Sequence, residues 1–322
     1  MTKILDIAIV TYNRLEKLKK ALLHYEQQTS AFRNLIIVNN CSTDGTGEFL
    51  KEYCSQKHEK FQTVLINTDE NLGGSGGFYL GQKKALELNA DWVMVADDDA
   101  YAAPDMVKQF YNYIEHNDTS KISAVCAAVY QQNGNIDTVH RRHLHTICKT
   151  RLHQVISSAP SSLEEYKQEH FKIDILSYVG SFLNVKALKS IGIVNRKYFI
   201  YFDDSEHSVR LSKYGKIIVL PSIKIKHDCG ISDNNAFTWR EYYVKRNKAH
   251  LLLHHFPRSI IKEYIFLFRC LIGAWLHNIQ PSIYEEIDRT AMIDALLGRL
   301  GKHKIYRPGW SIPFQQNNTK KQ

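Results

Sequence analysis

Four short apolar runs, each ending in polar residues and each separated from the next by a helix-periodic stretch, set the architecture of this chain. They are Ile7 to Thr11, Leu35 to Val38, Thr63 to Ile66 and Trp92 to Ala96. Unbroken apolar runs of this length fit strands covered on both faces better than strands with one wet side. Between the first two, Leu15, Leu18, Leu22 and Tyr25 recur at three- and four-residue steps, which marks one face of a helix. A short helix through Phe49 and Leu50, and another through Leu80 and Ala85, fill the next two gaps. Alternating strands and helices give a mainly parallel sheet flanked by helices, an α/β fold. Such sheets bind ligands beyond the carboxyl ends of their strands, so the polar residues after each run are where function is expected.

Past a further strand at Lys121 to Val129 the pattern weakens, and residues 131–172 show no clear period. Phe199 to Tyr214 reads as a strand end running into a helix, and Lys216 to His227 as a strand pair or one bent strand. Trp239 to His255 and Ser259 to Asn278 read as helices. These elements divide the chain into a catalytic domain at 1–238, a helical region at 239–310 and a disordered tail at 311–322. The 322 residues, 44% hydrophobic and 23% charged, exclude collagen-like, coiled-coil and largely disordered classes.

The net charge of +9 is unevenly placed. Residues 1–206 carry 23 basic and 25 acidic side chains, and residues 207–322 carry 19 and 8. A basic terminal third points to an anionic partner there: lipid headgroups, nucleic acid or a phosphorylated substrate. Phe266, Leu267, Trp275 and Leu276 with Arg258, Lys262 and Arg269 could form an interfacial helix on an anionic membrane surface, or a helix packed on the catalytic domain. The longest apolar run, Tyr264 to Leu276, contains Arg269 and is too short to span a bilayer. None of the six cysteines forms a C-x-x-C pair, which fits reduced thiols in a cytoplasmic protein, soluble or peripheral on the inner face of the plasma membrane.

Two acidic clusters carry the chemistry. Asp97-Asp98-Asp99 follows the strand WVMVA directly, and three adjacent carboxylates repel one another unless a cation is present. A hard divalent ion, Mn²⁺ or Mg²⁺, shared with a bound diphosphate answers that need. Asp203-Asp204-Ser205-Glu206 opens a helix, where acids also serve as caps and dipole partners, and Glu206 can pair with Arg210 one turn on. A nucleic-acid-binding protein would account for the basic third, but both acidic clusters would repel phosphates without metal. Asn71 to Gly77, with glycines at 73, 74, 76 and 77, reads as a flexible loop that lets a ligand approach the backbone. It fits neither the P-loop nor the dinucleotide spacing.

Taken in order, VTYNR at 10–14, IIVNNCSTDGT at 36–46, NLGGSGGF at 71–78, DDD at 97–99, FDDSE at 202–206 and the His of IKIKHDCG at 223–230 resemble the inverting GT-A glycosyltransferases of glycosyltransferase family 2. The likeness spans about residues 5–250. NLGGSGGF, FDDSE and WREYYVKRN at 239–247 further resemble the galactofuranosyltransferase branch. The resemblance implies a GT-A nucleotide-sugar fold in which Thr11, Asn13, Arg14 and Asp44 line the nucleotide pocket, with Asn71, Gly73 and Gly74 beside the donor. Asn39 stands where many relatives have Asp, and its carbonyl can still accept the uracil N3–H. Asp97, Asp99 and His227 would hold the metal, with Asp98 facing the donor sugar or ribose. Asp204 would be the general base, with Asp203 in support on the acceptor side. Trp239, Tyr242 and Tyr243 could stack on acceptor sugars or equally form the buried face of a helix. His143 and His145 lack partners for a metal site and read as a solvated basic loop. The expected partners are a nucleotide-sugar, UDP-galactofuranose first and dTDP-rhamnose second, and a free or lipid-linked saccharide acceptor of surface polysaccharide synthesis.

Overall fold

The computed structural model describes residues 3–148, 154–228, 236–257 and 282–313, together with Ile265 and Phe268. The first half of the chain alternates as its pattern requires: β1 (Leu5–Thr11), α1 (Leu15–Glu26), β2 (Asn34–Asn39), α2 (Thr46–Ser55), β3 (Gln62–Asn67), α3 (Gly73–Glu87) and β4 (Trp92–Asp97). A short β5 (Ala100–Ala102) and α4 (Met106–His116) lead to β6 (Ile122–Tyr130). The aperiodic stretch contains the hairpin β7 (Arg141–Cys148) and β8 (Gln154–Pro160), then β9 (Phe171–Ile173) and β10 (Ile175–Leu176). Next come β11 (Ser181–Asn184), α5 (Val185–Ile191), α6 (Asp203–Tyr214) and β12 (Lys216–His227). β13 (Ala236–Thr238), α7 (Arg240–His255), α8 (Ile283–Leu296) and β14 (Ser311–Pro313) close the described chain.

The main sheet runs β3-β2-β1-β4-β11-β6-β12-β5, with β9 also paired to β12. β3, β2, β1 and β4 are mutually parallel, as are β6 and β12, while β11 enters antiparallel between β4 and β6. Alternate residues of each strand feed two cores. Ile7, Ile9, Leu35, Ile37 and Met94 pack against α1, α2 and α4, whereas Ala8, Val10, Ile36, Val38 and Val95 pack against α3, α5 and α6. Burial on both faces is why these strands read as continuous apolar runs. Asp6, the one charge within β1, is fully buried and held by both arms of Arg33 at 2.9 and 2.6 Å and by Asn34.

β12 is one bent strand rather than a pair. Its register to β6 slips between Leu220 and Lys224, around Pro221, which has no N–H for the ladder. Beyond the bend, β12 pairs antiparallel with β5, which sets His227 opposite Ala100. α7 packs on α8 through Tyr242, Tyr243, Ile287 and Ala291.

Three segments depart from the sequence pattern. The glycine run is not a loop: α3 begins at Gly73, because the Phe199 carbonyl accepts the Ser75 N–H at 3.1 Å and starts the helix. Phe199 to Phe202 is not a strand end, since Phe199, Tyr201 and Phe202 all have positive φ. Ser311–Pro313 belongs to no tail but forms β14 on β13, beside a Trp239 N–H to Trp310 carbonyl bond of 3.1 Å. The helix expected at Ser259 to Asn278, with its candidate membrane-facing residues, lies outside the described residues apart from Ile265 and Phe268. Among the described residues no helix is long and apolar enough to cross a membrane.

Candidate active site

Parallel pairing of β1 with β4 sets Val10 beside Asp97, so the residues just past each strand meet at one edge of the sheet. There the Thr11 hydroxyl donates to Asp98 at 2.7 Å. Arg14, where the chain turns into α1, donates through Nη1 to Asp99 at 2.8 Å and to Asp98 at 3.3 Å. Lys17, one turn along α1, reaches Asp99 at 3.5 Å. From the far side the β5–β12 pairing delivers His227, whose Nε2 lies 3.2 Å from Asp99 Oδ1. One ligand atom from each of Asp97, Asp99 and His227 falls within 4.8 Å of the others.

The charges in this corner are tuned by burial and by each other. Burial and the Asp99 carboxylate push Asp97 up to about 7. Burial also raises Asp98, to about 6, with Arg14 and Thr11 working against the rise. Asp99 goes the other way: despite burial, His227, Arg14 and Lys17 hold it below the ordinary carboxylate range. His227 is raised by the same Asp99 against the opposing effect of burial. Two carboxylates and an imidazole at this spacing form a donor set that fits a divalent cation.

Thr11, Arg14, Asn71, Gly73, Gly74, Asp97, Asp98 and Trp239 all line one cavity of about 340 Å³. Asn13, Asn39, Asp44, Asp99, Asp203, Asp204 and His227 are not among its lining residues. Asn13 accepts the Thr43 N–H at 2.7 Å, Asn39 bonds Asn67 and Ser42, and Asp44 accepts from Leu15 and Thr46 at the starts of α1 and α2. Asn13 and Asp44 thereby tie the loops after β1 and β2 to each other, and Asn39 ties the ends of β2 and β3. Trp239 packs edge-on to Phe199 and Tyr243, while Tyr242 and Tyr243 are buried against α8, so the helix-face reading holds for the two tyrosines.

The second acidic cluster opens α6. Asp203 is buried near Ser75 of α3, and burial together with the charges of Asp204 and Asp97 raises its pKa. The two acidic clusters are thus electrostatic neighbours. Burial raises Asp204 as well, opposed by the Ser205 N–H and hydroxyl at 2.5 and 3.1 Å and by the charge of Arg141. Glu206 is an anchor: both Arg210 contacts lie at 2.8 Å, and His255 Nε2 bonds it at 3.0 Å. His143 pairs with Glu165 at 2.8 Å, whereas His140 reaches the site and lies 3.3 Å from His227.

Two contributors, Asn40 and Arg141, are not among the candidate site residues. Asn40 donates to Asn71 and to the Gly73 carbonyl and accepts from Leu72 N–H, tying the end of β2 to the start of α3. Its place directly after a strand is the signal that could have found it. Arg141, fully buried, gives its guanidinium to the carbonyls of Ala127, His140, Ser177 and Val179. Nothing local in the sequence marks it.

Comparison with known proteins agrees with this geometry. The chain is 38% identical over 103 residues to galactofuranosyltransferase GlfT1 of Mycobacterium tuberculosis, a stretch covering 32% of each protein and so about a third of that relative's length. It is 25% identical over 310 residues to dTDP-rhamnosyl transferase RfbF of Shigella flexneri, covering 91% of this chain and 95% of that one. Among solved structures, S. aureus TarS 1–349 in complex with UDP superposes with a TM-score of 0.54 at 14% identity, over 92% of this chain and 82% of that one, a likeness of fold. The profile of Glycosyl transferase family 2 matches residues 6–192, and with the sheet order and strand-end site described above, the chain belongs to that family of glycosyltransferases.

Proposed function

We propose that this protein transfers galactofuranose from UDP-galactofuranose to a hydroxyl of a saccharide acceptor, free or lipid-linked, with inversion at the anomeric carbon. The observation that carries the reading is the convergence of Asp97, Asp99 and His227, with Asp97 also lining the cavity of Thr11, Arg14 and Asp98, and with Asp203 close enough to feel the charge of Asp97. A divalent ion on those three side chains would stabilise negative charge on the departing diphosphate. The mixed oxygen and nitrogen donors suit Mn²⁺ better than Mg²⁺, which favours an all-oxygen shell.

The remaining work falls to this chain's own side chains. Thr11 and Arg14 orient Asp98 toward the donor, and Arg14 and Lys17 at the start of α1 add positive charge where the diphosphate would lie. Asp204, its pKa raised by burial, takes the proton as the acceptor oxygen attacks the anomeric carbon and the bond to the diphosphate breaks on the opposite face. Trp239 lines the cavity wall and would contact a sugar ring of the acceptor there.

The local likeness to the mycobacterial galactofuranosyltransferase supports the donor, while the longer and weaker likeness to the dTDP-rhamnosyl transferase favours a second reading, transfer of rhamnose. A donor screen following nucleotide release with Mn²⁺ present tests both. Turnover with UDP-galactofuranose well above UDP-galactopyranose, UDP-glucose and dTDP-rhamnose is expected, and turnover with dTDP-rhamnose alone selects the second.

A further inference from the structure

The segment that delivers Asp203 and Asp204 is held in a conformation it would not choose. Phe199, at φ 69° and ψ −59°, sits at the centre of a γ-turn closed by the Ile200 N–H on the Tyr198 carbonyl at 2.9 Å. Tyr201 and Phe202 follow at φ 62° and 63°. Positive φ in bulky aromatic residues is an outlier that persists only where the surroundings impose it. Here the surroundings come from one dipeptide of α7, in the WREYYVKRN segment.

Asn247 is fully buried, and its side-chain NH₂ donates to the carbonyls of Tyr198, Ile200 and Tyr201 at 3.0, 2.8 and 2.9 Å. Arg246, also buried, fixes that amide by donating Nε to Asn247 Oδ1 at 2.9 Å. Its two Nη atoms bond the Tyr198 and Gly301 carbonyls at 2.9 and 2.7 Å. The guanidinium lies against the rings of Tyr242 and Tyr243, which orients the fork. On its other side the loop touches the donor half, since the Phe199 carbonyl accepts the Ser75 N–H.

We propose that Arg246 and Asn247 are positioning residues that clamp the carbonyls of Tyr198, Ile200 and Tyr201, hold the positive-φ turns at Phe199 and Tyr201, and so fix the start of α6 where Asp203 and Asp204 stand. The catalytic part of the proposal rests on Asp204 being the base. Neither clamp residue touches the reacting atoms. Their effect is on where the carboxylate stands, and misplacement by about 1 Å can cost a factor of about 10² in rate.

The test uses the full chain with Asn247→Leu, which removes the donors at similar volume, and Arg246→Lys, which keeps the charge but not the fork. Hydrogen exchange of residues 199–206 should quicken by roughly tenfold or more in Asn247→Leu while β1 to β4 keep their protection. Turnover should fall by about 10²-fold with UDP affinity changed by less than about threefold, and Arg246→Lys should retain more turnover than Arg246→Met. Unchanged exchange at 199–206, an equal loss of protection across β1 to β4, or full turnover with a loosened loop would each overturn the clamp. If Asn247→Leu does not fold, Arg246→Lys carries the same readouts. Wild-type protein that turns over no nucleotide-sugar would defeat the functional reading alone, since the exchange arm still decides whether the loop is clamped.

Discussion

The carbonyl oxygen of Phe199 fills the space above Gly73: a Cβ on that glycine would stand 2.0 Å from it. Backbone meets backbone there, so neither side can yield by turning a side chain. Gly73 also has φ +72°, in the left-handed region.

Gly73→Ala should therefore fail to fold or melt well below the wild type, as the clash adds to a left-handed penalty of about 1–2 kcal/mol. Gly74→Ala is the matched control, because nothing lies within 4 Å of its Cβ position. It should melt within a few degrees of the wild type. Thermal denaturation of the pair checks both.

Asp204→Asn keeps size and hydrogen-bonding capacity but removes basicity. It should lower transfer by roughly 10²–10⁴-fold with little change in UDP affinity. Near-normal turnover in Asp204→Asn, with loss in Asp203→Asn, would move the base to its neighbour.

Asp97→Ala, Asp99→Ala and His227→Ala should each weaken Mn²⁺-dependent UDP binding by titration calorimetry, since each removes one member of the converging set. Excess EDTA should abolish transfer by the wild type. Full activity in EDTA would exclude a metal-assisted departure of the diphosphate.

Glu206 gives the pH dependence. Burial alone would push its carboxyl up, but the His255 and Arg210 bonds bring it down to about 2 from an ordinary 4.5. A depressed carboxylate contributes stability that is present above its unfolded value and lost as pH falls through the folded one. Glu206→Gln should thus be less stable than the wild type at pH 7, and the gap should close between about pH 4.5 and 2. Urea unfolding at stepped pH measures it, and a constant gap would deny the linkage.

The strand ends were readable because their signals are local. Burial on both faces makes β1, β2 and β4 into plain apolar runs, and the acids of Asp97 to Asp99 stand directly after one of them. What escaped was set from a distance. Tyr198 to Phe202 has the composition of a strand, and its positive-φ turns are met by the buried side chains of Arg246 and Asn247 on another helix. Glycine content made residues 73–77 look like a loop, yet the Phe199 carbonyl nucleates a helix on them. Asn13, Asn39 and Asp44, which the family resemblance sets beside the nucleotide, also bond Thr43, Asn67 and Leu15, ties that no local pattern shows. Residue type alone does not reveal which way a side chain is bonded.

The strand order also sets a timetable for synthesis. β3, β2, β1 and β4 form a contiguous parallel half that a ribosome completes before β6 exists. The imidazole of His227 reaches Asp99 only after β12 has run along β6, passed its bend and folded back on β5. Non-local pairings of this kind form slowly, because the intervening chain must close first. A nascent chain therefore emerges with its three carboxylates already adjacent and their histidine still unmade, and until β12 docks, the countercharge available from the early half is that of Arg14 and Lys17. Convergence of Asp97, Asp99 and His227 is thus a late event, one that reports the closing of the sheet's second half.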